Sequence, residues 1–169
     1  MRIGRALYWL VVTLFIGFAV ACGSPRGGKA RAPRGGGPIQ EVHLFGFPVA
    51  LNTDRTPGPD VVGIRIYASN RATARGLPIT KGELEVLMLP AGTPSPGQQA
   101  PGPLRTWRFK PNELKANEGM TAIGVGYKLA LPLGSDIPNV SAVTIVARYV
   151  DPAGKVVSSS PSTISLLTQ

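Results

Sequence analysis

The sequence predicts an all-β protein: an antiparallel two-sheet sandwich of about seven strands, built from residues 39–169. Three observations lead there. Apolar residues recur with a period of two in one segment after another, the pattern of strands with one buried face. Turn-forming Gly, Pro, Asn and Asp separate those segments, in a chain with 21 glycines and 17 prolines. After residue 38 no long stretch carries apolar residues at helical spacing.

The first element is an export signal. Arg2 and Arg5 precede an apolar run from Ala6 to Val20, which ends in Ala19-Val20-Ala21-Cys22. A positive start, an apolar middle and small residues at the end are what translocation and cleavage require. Cys22 is the one cysteine in the chain. These four residues resemble the lipobox of bacterial lipoproteins, with Ala19 where Leu is commonest. The resemblance implies a diacylglyceryl group on Cys22, cleavage before it, and an exported domain held at a bacterial membrane. A single acyl chain holds marginally at about 0.8 kcal/mol per buried methylene, whereas two or three give durable attachment. The same signal helix has two other readings. One is an uncleaved membrane span, near the lower limit of about 17 residues. The other is ordinary cleavage near Ala21 that leaves Cys22 a free thiol.

Residues 22–38 follow as a tether. The stretch GSPRGGKARAPRGGGP has no aromatic or large aliphatic side chain and cannot bury enough surface to fold. As a coil it would span about 20–25 Å. The domain division is therefore 1–21 signal, 22–38 lipidated cysteine and linker, and 39–169 sandwich.

The charge distribution agrees with a membrane-proximal tether. The chain carries 18 Lys and Arg against 9 Asp and Glu, a net +9. Four of the basic residues, Arg26, Lys29, Arg31 and Arg34, lie in the linker. From Ile39 onward only a small positive excess remains. Basic groups beside an anchor meet anionic headgroups at about 1 kcal/mol each, or simply solvate the tether. No nucleic-acid partner is expected: that role needs a basic face beside stacking or base-reading groups, and here the basic cluster lies a few residues from the anchor. With no cysteine after Cys22, the domain stands on its apolar core without a disulfide.

Seven strands are expected: 41–51, 61–69, 83–89, 104–110, 126–133, 141–150 and 155–167. Ile64, Ile66 and Ala68 share a face with Arg65 opposite. Leu84, Val86 and Met88 oppose Glu83 and Glu85. Tyr127, Leu129, Leu131 and Leu133 oppose Lys128, and Val143, Ile145, Ala147 and Tyr149 oppose Thr144 and Arg148. Residues 52–60 form a loop. Asp151-Pro152-Ala153-Gly154 fits a type I turn with Gly in the left-handed position. The proline-rich stretch 90–103 reads as an exposed contact loop, and 111–116, with Pro111 first and Glu113 in the opening turn, as a single helical turn.

In strand count and rhythm the region resembles immunoglobulin-like and fibronectin type III-like domains. The Cys…Trp…Cys pattern of antibody domains is missing, and Tyr149 falls late in its strand for their corner tyrosine. A transthyretin-like sandwich or a small barrel fits the same rhythm.

Chemistry-bearing clusters are sparse. His43 is the one histidine and lies in a strand pattern with Phe45 and Phe47, so a zinc or copper site is not expected. Asp54 and Asp60 flank a loop with no EF-hand spacing. Ser158, Ser159 and Ser160 lack a nucleophile elbow. Glu83 and Glu85 share the outward side of their strand and read as an exposed acidic face rather than a glycosidase pair. Glu118 and Asp136 read as turn residues. Neither a metal nor a cofactor is expected, and the leading functional expectation is a non-enzymatic binding or structural module facing another envelope protein, as by strand addition to an edge. A carbohydrate- or peptidoglycan-binding module is the alternative, centred on Trp107 with Arg105 on its face and Arg108 on the other side of the strand. An enzyme using an unrecognised acidic site ranks last.

Overall fold

The computed structural model describes residues 37–53, 57–92, 102–134 and 140–167. The chain divides into two units, Met1–Arg34 and Gly35–Gln169. The signal, Cys22 and most of the linker lie outside the described residues.

The second unit is a sandwich of two antiparallel sheets, as the alternating pattern predicts, with nine strands among the described residues rather than about seven. Sheet A contains β1 (Glu41–Gly46), β2 (Val61–Ser69), β5 (Glu118–Thr121) and β6 (Gly124–Pro132), in the order β1-β2-β6-β5. Sheet B contains β3 (Glu83–Pro90), β4 (Arg105–Phe109), β7 (Ala142–Val150), β8 (Val156–Ser158) and β9 (Ser162–Ser165). Its order is β4-β3-β7-β8, with β9 also on β7. This pairing is compatible with an immunoglobulin-like arrangement.

The inward-facing sets are those the period of two selects. Val62, Ile64 and Ile66 of β2 and Tyr127, Leu129 and Leu131 of β6 meet Leu84, Val86 and Met88 of β3 and Val143, Ile145 and Ala147 of β7. All are at most 2% exposed. Between β4 and β5 lies α1 (Pro111–Lys115). Pro111 opens it, and the Glu113 carboxylate accepts the Lys110 N–H at 2.6 Å. Its Leu114 is fully buried.

Two expected strands are interrupted, each at a proline. The 41–51 segment leaves the regular β1–β2 ladder around Pro48, after the Phe47 N–H has donated to the Gly63 carbonyl. The chain then runs beside β9: the Ser165 N–H donates to the Pro48 carbonyl, and the Ala50 N–H donates to that of Ser165. One segment thus belongs to both sheets. The 155–167 segment breaks around Pro161 into β8 and β9, with one extra residue on this side of the pairing with β7. Ser159 satisfies the bulge. Its hydroxyl accepts the Ala147 N–H and donates to the Ser160 carbonyl. The additional strand β5 includes Glu118, read from sequence as a turn residue; its segment EGMT has no alternating apolar face to announce it. The 151–154 turn forms as expected. The Gly154 N–H donates to the Asp151 carbonyl, with Gly154 at φ 84°.

Candidate functional site

The outer face of sheet A follows from the parity that buries its inner face. With Val62, Ile64, Ile66 and Ala68 turned inward, β2 sends Gly63, Arg65 and Tyr67 outward. Register brings Phe45 of β1 opposite Arg65, and Arg65 opposite Lys128 of β6. The row Phe45–Arg65–Lys128 therefore crosses three strands. Phe45 packs edge-to-face on Tyr67, with ring centres 5.9 Å apart and planes at 81°. Tyr67 is 6% exposed, whereas Phe45 is 57% and Phe47 49% exposed.

Two glycines shape this face. A Cβ on Gly63 would fall 2.5 Å from the Phe47 ring, and one on Gly126 the same distance from the Tyr67 ring. Each ring lies over a neighbouring strand where any larger residue would lift it. The result is a groove of about 390 Å³ lined by Phe45, Phe47, Tyr67, Ile123, Arg65 and Lys128. Among the described residues neither Arg65 nor Lys128 has an ion-pair partner. Glu118 lines the adjoining groove with both cations and pairs with neither. Like charges opposite one another in a ladder repel, so this face carries an unneutralised positive centre beside exposed rings.

The Trp107 cluster assembles only in part. Arg105 and Trp107 share a side of β4, opposite Met88 and Val86. Trp107 is half-buried against the core, and the Arg105 guanidinium lies 6.0 Å from its ring centre. Arg105 also donates to the carbonyls of Pro132 and Leu133. Arg108 faces the other way and is bound to Glu85 at 3.0 Å.

Glu85 is not part of an exposed acidic face. Its side chain is 11% exposed, held between Arg108 of β4 at 3.0 Å and Arg148 of β7 at 2.6 Å. Cross-strand register makes this triad, since Glu85 lies opposite both arginines. The Arg108 hydrogen bond, with Arg148 behind it, holds the Glu85 carboxyl below its ordinary range against the opposing effect of burial.

His43 does gather a serine and a carboxylate, but not in a catalytic order. Its Nε2 lies 3.1 Å from Ser69 Oγ and 3.6 Å from Glu41 Oε2, while Ser69 Oγ is 3.3 Å from the same Glu41 oxygen. A hydrolytic triad needs the carboxylate on the ring nitrogen remote from the serine. Here both crowd one nitrogen, and all three residues sit on regular strands. Asp60 accepts from the Thr53 amide and hydroxyl at 2.8 and 2.6 Å. No group of three metal-ligating side chains occurs among the described residues. Asp54, Asp136, Ala19, Val20, Ala21, Cys22 and positions 93–101 of the expected contact loop lie outside the described residues.

Comparison with family models, curated proteins and solved structures finds no match for this chain. The site's chemistry therefore carries the functional reading.

The outer face was half legible in the sequence. Phe45 and Phe47 share a parity with His43, and Arg65 and Lys128 stand opposite buried faces. The strand order that makes them neighbours is not written in any local pattern.

Proposed function

We propose that this chain is an exported bacterial lipoprotein, tethered through acyl chains on Cys22, whose immunoglobulin-like sandwich is a non-enzymatic binding module of the cell envelope. Its contact surface is the outer face of sheet A. The observation that carries the reading is the juxtaposition of exposed Phe45 and Phe47 with unpaired Arg65 and Lys128 across one groove. Rings left half in water and like charges left facing each other both cost stability in the free domain. Both costs are offset when a partner covers them.

Photocrosslinking in native cells tests this. A benzophenone amino acid at position 45 should give a reproducible adduct from the envelope, while the same probe at position 108, on the outer face of sheet B, should not. Failure at position 45, or equal capture at both positions, rejects the assignment.

A further inference from the structure

The occupant of the groove can be narrowed, on the reading that the outer face of sheet A is the contact surface. The backbone of β2 is hydrogen-bonded on both edges, to β1 and to β6. A ligand seated over β2 therefore meets side chains rather than free backbone groups. Those side chains are of two kinds. Phe45 and Phe47 offer exposed ring surface, and the Phe47 ring lies against the Gly63 backbone, leaving its opposite side to solvent. Arg65 and Lys128 offer adjacent positive charge, and among the described residues no acid forms an ion pair with either. The groove has a floor, nearly buried Tyr67, and a wall, Ile123. A concave site of about 390 Å³ is within the range of small-ligand pockets and suits a discrete ring better than a flat lipid surface.

We infer that the groove binds an acidic saccharide, with the apolar side of a pyranose on Phe45 and Phe47 and its carboxylate between Arg65 and Lys128. An aromatic ring matches the C–H face of a sugar, and a carboxylate relieves the repulsion between the two cations. Charge complementarity selects an acidic sugar over a neutral one.

The experiment is a fluorine NMR titration of the full chain in mild detergent, labelled with 4-fluorophenylalanine and assigned with Phe45→Leu and Phe47→Leu. The probes are trigalacturonate, its methyl ester, pentaglutamate and vesicles containing phosphatidylglycerol. Trigalacturonate should shift the Phe45 and Phe47 resonances and leave Phe109 in place. Arg65→Gln and Lys128→Gln should each weaken that binding about tenfold, with Lys128→Arg close to the parent. Equal binding of the methyl ester overturns the role of charge. Equal shifts with pentaglutamate or with vesicles overturn the sugar. No shift with any probe overturns the inference as a whole. Cell-derived crosslinks at position 45 with a silent titration would leave the contact face standing and remove only the acidic saccharide. A positive titration without crosslinks would keep the saccharide on this face and remove only the capture of an envelope component in cells.

Discussion

The phenolic oxygen of Tyr127 lies 2.6 Å from the amide nitrogen of Ile79, 48 residues earlier in the chain, and accepts its N–H. This bond pins the β2–β3 connection to the core. Burial pushes the Tyr127 hydroxyl up to about 12, against the opposing effect of the Ile79 N–H. Its folded value exceeds its unfolded value, so the associated stability is intact below the ordinary tyrosine range and is lost as pH rises toward about 12. Denaturant melts from pH 9 upward should show this alkaline loss, and Tyr127→Phe should flatten it. At neutral pH the same variant strands a buried N–H and should cost about 1–3 kcal/mol.

The Glu85 triad predicts the opposite limb. The carboxyl is held below its ordinary range by Arg108 first and Arg148 next. Its contribution is complete at neutral pH and disappears as pH falls through that lowered value. Glu85→Gln should destabilise the fold by about 1–3 kcal/mol at pH 7 and remove part of the acid sensitivity. Chemical denaturation at pH 3 and pH 7 measures both effects.

Gly76 and Gly124 form a parallel bridge where the β2–β3 connection passes the start of β6. The Gly76 N–H donates to the Ile123 carbonyl, and the Val125 N–H donates to that of Gly76. A Cβ on Gly76 would overlap the Val125 carbonyl oxygen. Backbone atoms cannot step aside as a flexible side chain can, so Gly76→Ala should cost about 3 kcal/mol. A thermal melt of the variant, with Gly119→Ala at an open position of ordinary backbone conformation as control, checks this.

Exposed rings and buried aliphatics should separate in the same assay. Ile64 is fully buried, and Ile64→Ala should cost about 2–5 kcal/mol. Phe45 is mostly exposed and touches Tyr67 by an edge, so Phe45→Ala should cost no more than about 1.5 kcal/mol. A large loss at Phe45 would mark it as a core residue and weaken the binding assignment.

The proposed anchor makes a clean cellular prediction. Cys22→Ser should transfer the protein from the membrane fraction to the soluble envelope fraction, and intact mass should show the parent without residues 1–21 and with acyl groups added. A parent chain that fractionates as soluble with an unmodified thiol would reject the anchor.

Much of the fold was readable because a strand's side-chain period is a local property. The sets Ile64-Ile66-Ala68, Leu84-Val86-Met88 and Val143-Ile145-Ala147 are buried in the structure as their alternation in sequence demands. The turn at Asp151–Gly154 and the helical turn at Pro111 were readable for the same reason: short-range geometry and residue chemistry specify them. Where expectation and structure part, a long-range pairing is responsible. Glu85 looks like half of an exposed acidic pair until β4 and β7 deliver an arginine from each side. β5 has no pattern of its own and exists because the edge of β6 accepts it.

Composition and local pattern by themselves thus determined a β-sandwich and which face of each principal strand turns inward, because alternation and turn propensity act over a few residues. Strand order, the Glu85 triad and the meeting of Phe45 with Arg65 and Lys128 were decided only by tertiary structure. Those contacts depend on which strands share a ladder and in what register, and that choice is made by the closure of the whole core.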